Sequence, residues 1–505
     1  MKLLFIWLDI SETGRASFNH GIAGLAGYLK ERGHNVGCIS IRRVGEIESL
    51  LEVVEKECPD GIAFSIVTNQ RKYLDVCAKA VRKGFRGLMI AGGVHATLNP
   101  DDVLDCEEID GVCIGEGEIP LSILAECHDS NQEYLSVPCF WWRKDRGSSI
   151  EKIIRNDVCR YVTDASDFPF PDYSIFNVEE ILRSTSGFFD IMISRGCPYS
   201  CTYCCNKCIR AVYHDKKHYF RIHPPAKAID ILVHYIHKYP SIKGFNFADD
   251  LLVWNKEWFL TFAEKYREGI GLPFTCNCRF ELVDEEIARA LSESGCAQVN
   301  LGLESGDEDL RGRLLKRRYT NRQIIKCAEI LHESNIPFFT YNIFGFPFET
   351  KEQMQETVAI NKAIRPSSGC AFFFYPFPKT ELFNICVEND LLLKKSMFSV
   401  DGYCEKPVIK LSNCEESDCV SLQRELSLYF AARRLSRLSR IDSERFEAAV
   451  LKILLLQPSF FMKLLSKDSS IKRNLRKLMY RGMRQKTLKF KSGLTKSMLT
   501  GSPSS

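Results

Sequence analysis

The sequence predicts an α/β protein made of two βα series in tandem: an open parallel sheet, then an incomplete (β/α)6 barrel, then a basic helical C-terminal region. Three observations carry the prediction. Short apolar strands alternate with amphipathic helices over residues 1–114, and six further apolar strands separated by helices lie between residues 190 and 375. Past Pro407 the pattern becomes helical and basic. Such alternation implies parallel strands with helices packed on the sheet faces. The expected divisions are an open α/β domain at 1–140, a linker at 141–185, the barrel at 186–400 and the helical, basic region at 401–505.

The first series opens with an apolar strand at 3–8 and a helix at 20–32, whose Ile22, Leu25, Ala26 and Leu29 share one face. A strand at 36–41, a helix at 46–57, a strand at 61–66, a helix at 73–83 and strands at 86–91 and 109–114 follow. In sheets of this type ligands sit beyond the carboxyl ends of the strands. Two glycine-rich segments fall there, Gly92-Gly93-Val94-His95 and Gly115-Glu116-Gly117-Glu118. Residues 163–171, rich in Pro and Asp, mark the connection to the second series. That series places strands at 190–194, 244–247, 274–278, 298–302, 338–344 and 371–375. Helices lie between them, such as 226–237 with Ile229, Leu232, Val233 and Ile236 on one face. Barrels of this kind hold their chemistry at the strand carboxyl ends.

The composition, 45% hydrophobic and 26% charged over 505 residues, is that of a globular protein. No basic, cleavable leader opens the chain, and no apolar run approaches the ~18 residues of a membrane span. A cytoplasmic location is therefore expected. The 22 cysteines then point to a reducing compartment, with some thiols as metal ligands and most simply buried.

The decisive segment is Ser194-Arg-Gly-Cys197-Pro-Tyr-Ser-Cys201-Thr-Tyr-Cys204. Three thiolates at spacings of four and three can wrap one face of an iron–sulfur cubane and leave its fourth iron open. The competing readings are a structural zinc site, to which Cys205 and Cys208 would add a second CxxC, or cysteines that are simply buried. Cys205, Cys208, Cys276 and Cys278 form no complete four-ligand set for a second cluster.

This segment resembles the radical S-adenosylmethionine (SAM) superfamily, whose signature is CxxxCxΦC with an aromatic residue, here Tyr203, before the last cysteine. The resemblance implies a [4Fe–4S] cluster on Cys197, Cys201 and Cys204, whose open iron chelates SAM and whose reduction yields a 5′-deoxyadenosyl radical. Further segments match family positions at strand ends. Asp249 and Asp250 stand where the family accepts the methionyl ammonium group, and Arg279 is placed to pair with a carboxylate. Glu304 and Ser305 resemble the ribose-contacting segment. Gly345, in Gly345-Phe346-Pro347-Phe348-Glu349-Thr350, resembles the turn near the adenine. Pro376-Phe377-Pro378-Lys379-Thr380 resembles a turn with Gly at the Lys379 position. For Asp250, Arg279 and Glu349 the competing roles are capping, pairing with Glu281 and starting a helix.

A Rossmann-like domain directly before such a barrel resembles the cobalamin-binding branch of the superfamily. Gly92, Gly93, His95, Gly115 and Gly117 are the implied cobalamin contacts, because glycine lets the backbone approach a bulky ligand closely. Cobalamin-binding folds often carry Asp-x-His-x-x-Gly. Here Asp9-Ile10-Ser11-Glu12-Thr13-Gly14 places Ser11 at the histidine position, so this loop offers cobalt no histidine. The alternative for His95 is a loop histidine bonded to its own backbone.

Residues 431–505 hold 18 Lys and Arg against 4 Asp and Glu, so this region carries +14 in a chain whose net charge is +4. Leu475, Leu478, Met479, Met483 and Leu488 are interleaved with the charges. Such a segment suits an anionic membrane surface or a solvated helical face, and nucleic acid less well. The resemblance implies a metal-binding transferase: a cobalamin-dependent methyltransferase acting on an unactivated carbon or phosphorus of a small-molecule or lipid-like substrate. A reductant such as flavodoxin or ferredoxin is its implied partner. The alternatives are a radical SAM cyclase or rearrangement enzyme and, from another class, a non-catalytic iron–sulfur or cobalamin sensor.

Overall fold

The computed structural model of the protein describes residues 1–10, 16–148, 150–393 and 406–439. Ser11 and the basic stretch past residue 439 lie outside the described residues. The first unit runs β1 (Lys2–Leu8), α1 (His20–Glu31), β2 (Asn35–Ile41), α2 (Leu50–Glu57), β3 (Gly61–Ser65) and α3 (Arg71–Arg82). It continues with β4 (Leu88–Gly92), α4 (Val94–Leu98), α5 (Pro100–Leu104), β5 (Gly111–Cys113) and α6 (Glu118–Asp129). β1 to β5 are parallel in the order β2-β1-β3-β4-β5. Side chains alternate between the two faces of the sheet, as strand geometry requires. Leu4, Ile6, Ile62, Phe64 and Met89 pack on one face, and Leu3, Phe5, Ala63 and Ile90 on the other.

Two further strands, β6 (Phe140–Lys144) and β7 (Lys152–Arg155), extend this sheet antiparallel from β5. Residues 141–155, read from sequence as part of a linker, thus belong to the sheet edge. On the edge strand β7 the exposed Lys152 and Arg155 are what such a strand uses to blunt its ladder. The buried rings of Phe140 and Trp142 stack 4.5 Å apart beneath it. The connection that follows is pinned to α1: Asp172 N donates to Ala23 O at 2.8 Å, and Lys30 pairs with Asp172 at 2.6 Å.

The second unit begins with α7 (Val178–Ser184), β8 (Phe188–Ile191), β9 (Ser194–Arg195), α8 (Cys205–Ala211) and β10 (Arg221–Ile222). Then come α9 (Pro225–Lys238), β11 (Gly244–Phe247), α10 (Lys256–Gly269), β12 (Phe274–Cys278), α11 (Glu285–Glu293) and β13 (Cys296–Glu304). It ends with α12 (Glu308–Arg313), α13 (Asn321–Glu333), β14 (Phe338–Phe344), α14 (Lys351–Ile364), β15 (Ser368–Phe373), α15 (Glu381–Glu388) and α16 (Glu416–Ser439). Six parallel strands lie in chain order from β8 to β15, and β8 and β15 do not pair: the sheet is an open half-barrel. Its core joins strand residues such as Phe189, Phe245 and Phe274 to helix residues such as Leu232, Phe262 and Leu331. Helix α16 caps β14 and β15 through Cys419, Leu426 and Phe430. Among the described residues no helix is long and apolar enough to cross a membrane.

Candidate active site

The cluster loop leaves β8 and pairs briefly as β9 with β10. At Gly196 the backbone has φ +77°, and a Cβ would lie 2.6 Å from the Tyr219 ring. Only glycine fits this turn into Cys197. The loop is anchored at its far side: Thr202 Oγ1 donates to Leu314 O at 2.6 Å, and Leu382 N donates to Thr202 O at 3.2 Å. Cys201 is buried, whereas Cys197 and Cys204 are partly exposed. Among the described residues, no three His, Cys, Asp or Glu side chains converge on one ion. A zinc site needs its ligands about 2.0–2.3 Å from a single centre. A cubane takes one thiolate per iron and so holds its ligands apart. Cys208 Sγ instead donates to Lys379 O at 3.1 Å, and Cys276 lies in the barrel core beside Cys296.

Two arginines face Cys201. Arg279 Nη1 lies 3.8 Å and Arg317 Nη1 3.9 Å from its Sγ. Arg279, expected to pair with a ligand carboxylate, pairs with Glu281 at 2.5 Å, but in a buried setting, its guanidinium 3.7 Å over the Tyr199 ring. Arg317, which sequence reasoning missed, also donates to Tyr203 OH at 3.1 Å and Gly302 O at 2.8 Å. Positive charge so placed favours the reduced, more negative cluster. Arg317→Met should therefore make the cluster midpoint about 50–150 mV more negative in an EPR-monitored titration. An unchanged midpoint would mean that the guanidinium only packs.

The acidic pair after β11 divides. Asp249 is fully buried, and its Oδ1 accepts from Ile193 N at 3.0 Å, Ser194 N at 2.6 Å and the Ser194 hydroxyl. Through this oxygen it ties down the start of the cluster loop. Among the described residues its Oδ2 has no partner, and burial pushes the carboxyl up to about 7. Asp250 is exposed and accepts from Asn206 Nδ2 at 2.9 Å. At the end of β13 both residues are buried but have different partners. Glu304 adopts φ +63° at a register shift in the strand and lies 3.4 Å from Arg317. Burial raises its carboxyl, with Arg317 and Tyr203 opposing. Ser305 is fully buried, its Oγ accepting from Asp307 N at 3.3 Å, so it shapes the turn instead of meeting a ribose. The buried Arg311 holds that turn through Ser305 O at 2.8 Å and Tyr319 O at 2.9 Å.

Gly345, at φ +76°, donates its N–H to Glu349 Oε2 at 2.7 Å, and Phe346 N donates to the same oxygen at 3.1 Å. Glu349 thus closes the turn, and burial pushes its carboxyl up to about 8. Lys379 keeps φ +65° at the position read as a displaced glycine. The turn survives the substitution, at about 1–2 kcal/mol for a left-handed residue with a side chain. Tyr203 bridges the cluster loop to this side of the barrel, 6.2 Å from the Phe346 ring.

In the first unit the strand order reverses between β1 and β3, the switch point at which such sheets bind ligands, and Val67 is exposed just beyond β3. Three of the four glycines in the two glycine-rich segments, Gly93, Gly115 and Gly117, serve internal packing. A Cβ on Gly93 (φ +102°) would lie 2.7 Å from Ile66 O, and one on Gly115 (φ +86°) 2.5 Å from Tyr213 OH. A Cβ on Gly117 would meet Leu25 and Leu121 at 3.1–3.2 Å, whereas one on Gly92 would meet only Cys113, at 3.8 Å. Thr97 joins the segments, its Oγ1 donating to Gly93 O at 2.9 Å and accepting from Gly115 N at 3.0 Å. His95 is fully buried on α4, with Nδ1 3.1 Å from Thr68 Oγ1 and Nε2 2.8 Å from Asp102 Oδ2. It neither bonds to its own backbone nor presents a free nitrogen to a corrin.

Between the units lies a cavity of about 230 Å³. His20, Gly21, Gly24 and Glu116 form its wall on the first unit; Ser194, Arg195, Gly196, Asn206 and Asp250 form the wall on the barrel. Phe168, Pro169, Pro171, Tyr173 and Met192 add an apolar surface. His20 and His223 also line it, and burial pulls each down to about 4, so both are neutral at ordinary pH. Sequence reasoning did not single out either histidine, since no motif marks them. The thiol-bearing loop on the barrel and the switch point on the first unit suit a cluster and a large planar cofactor.

The radical SAM superfamily description matches residues 191–359, and the B12 binding domain description matches residues 9–125. An uncharacterized methyltransferase of Pyrococcus horikoshii is 24% identical over 421 residues, 82% of this chain and 87% of that protein. An anaerobic magnesium-protoporphyrin IX monomethyl ester cyclase of Cereibacter sphaeroides is 24% identical over 352 residues, 66% of this chain but 54% of the cyclase. Among solved structures, the cobalamin-dependent SAM radical enzyme OxsB with aqua-cobalamin and SAM bound superposes with a TM-score of 0.65. That match is 15% identical and covers 99% of this chain and 82% of OxsB. A [4Fe–4S] cluster, SAM and cobalamin are accordingly the cofactors of this protein. With its two units in this order, the chain belongs to the radical SAM enzymes that carry an amino-terminal B12-binding domain.

Proposed function

We propose that the protein transfers a methyl group to an unactivated carbon or phosphorus of a small molecule held in the cavity between its two units. The observation that carries this reading is the cavity itself, which has the cluster loop on one wall and the B12-binding unit on the other. Cys197, Cys201 and Cys204 would hold the cluster. Tyr203, Asp250, Glu304 and Gly345 would receive SAM, and the turns beyond β1, β3 and β4 would receive the corrin. Bound there, the cluster supplies the electron that cleaves SAM, and cobalamin carries the methyl group. The chain's own residues position the reactants and exclude water. Arg279 and Arg317 stabilise charge at Cys201, while the neutral His20 and His223 and the apolar wall suit an uncharged substrate portion. A lipid-like substrate is favoured by that wall. Cyclisation or rearrangement is the second reading, supported by the match to the cyclase, although the chain spans only 54% of that relative's length. A sensor without catalysis would not require the carboxylates and glycine turn that surround the SAM position.

Anaerobically reconstituted protein should hold about one corrin per chain and form 5′-deoxyadenosine when reduced by dithionite or flavodoxin. Its Co(II) EPR signal should lack nitrogen splitting, because Ser11 replaces the ligating histidine and His95 is internal. Clear nitrogen splitting would overturn the assignment of a base-off corrin without a histidine ligand. We also propose a cytoplasmic enzyme that meets anionic membrane through the basic tail, at about 1 kcal/mol per basic residue near the surface. Full-length protein should co-sediment with phosphatidylserine vesicles at low salt, and protein truncated near Ser470 should not. Equal sedimentation would leave the tail a solvated extension.

A further inference from the structure

Gly115-Glu116-Gly117-Glu118 turns its two carboxylates away from its own unit and onto the barrel. Their partners, Arg195 and Arg221, stand opposite each other in the β9–β10 ladder. Two like charges in that register repel, and each is met by one glutamate. Glu116 grips Arg221 with both oxygens, Oε2 to Nη1 at 3.0 Å and Oε1 to Nη2. Such forked pairs fix orientation as well as distance. Glu118, with its side chain 2% exposed, pairs with Arg195 Nη1 at 2.6 Å and has no other partner among the described residues. The arginines are held from behind: Arg195 lies 4.3 Å over the Phe168 ring, and Arg221 lies 4.6 Å over Tyr161 and donates to Val162 O at 2.5 Å. Tyr213 OH accepts from Glu116 N at 2.6 Å, through space that only a glycine at 115 leaves open. Arg195 stands two residues before Cys197, so the clamp acts directly on the loop that carries the cluster ligands.

We propose that Glu116 and Glu118 are positioning residues whose ion pairs with Arg221 and Arg195 set the separation of the cluster loop from the B12-binding unit. The clamp leaves both cofactor sites intact when broken, but the spacing across the cavity is no longer fixed. The proposal rests on the assignment of both cofactors, yet its test has an arm that needs neither.

In holoenzyme with reduced cluster and Co(II) cobalamin, Glu116→Arg should lose most of the dipolar broadening of the cobalt EPR signal at unchanged iron and corrin content. Glu116→Arg combined with Arg221→Glu should restore it, which loss of packing alone would not allow. In protein loaded with neither cofactor, Glu118→Gln, which preserves side-chain shape, should speed hydrogen exchange at residues 193–196 and 221–223 by about tenfold or more. Unchanged exchange in Glu118→Gln would overturn the proposal even if the chain bound no corrin. Unaltered broadening in Glu116→Arg would overturn it in the holoenzyme.

Discussion

Cys201→Ala should abolish SAM cleavage and leave no cluster iron above background. Cys201 is the buried member of the three, and both Arg279 and Arg317 are arranged around its sulfur. No neighbouring thiol can replace it: Cys208 is bonded to Lys379 O, and Cys278 is buried in β12. Cys208→Ala should therefore retain wild-type iron content and cleavage. The effect of Cys201→Ala is all or none, because a cubane held by two thiolates is lost on purification. Iron per chain and 5′-deoxyadenosine formation read it together, and wild-type iron in Cys201→Ala would show that the site lies elsewhere.

Asp249→Ala is the second large effect. The substitution strands two backbone N–H groups and a hydroxyl in a fully buried place, and each unmet donor costs about 1–3 kcal/mol. A loss of about 3–5 kcal/mol in unfolding free energy is expected, together with poor cluster retention, since Ser194 leads into the cysteine loop. Asp249→Asn keeps the accepting oxygen and should cost about 1 kcal/mol or less at pH 5. Because the folded carboxyl is raised to about 7, its contribution is complete below the unfolded value and is lost as pH rises through 7. Wild-type stability should decline over that range, and Asp249→Asn should decline less. Denaturant unfolding at pH 5 and pH 8 measures both, and equal losses for Asn and Ala would dismiss the acceptor role.

Much of this architecture was legible in sequence because local pattern and tertiary fold agree. The strands at 244–247, 274–278 and 338–344 are apolar runs bounded by helices, and they fall where periodicity places them. The cysteine spacing and Tyr203 were equally plain, since ligand geometry is encoded within eight residues. What escaped was direction. Asp249 and Asp250 are neighbours in sequence but opposite in environment, and no pattern says which one turns inward. Glu304 and Ser305, at a register shift, are both buried, and no pattern says that Glu304 meets Arg317 while Ser305 serves the turn. His95 looked like a loop ligand because its partners, Thr68 and Asp102, come from other parts of the chain. At Gly93, Gly115 and Gly117, where a corrin was expected to approach the backbone, protein atoms already lie close. Arg317 carried no signal beyond a basic run, and its role follows only from the fold of the segment after α12.

Methyl transfer through cobalamin would require SAM to serve twice, cleaved at the cluster and giving its methyl group to the corrin. The most direct test uses SAM carrying a deuterated methyl group with reduced, cluster-loaded, hydroxocobalamin-loaded protein, and asks by mass spectrometry where the label goes. Deuterated methyl on the protein-bound corrin, alongside 5′-deoxyadenosine, is the predicted result. Formation of 5′-deoxyadenosine with a corrin that never acquires the label would contradict methyl transfer and assign the chain to radical cyclisation or rearrangement.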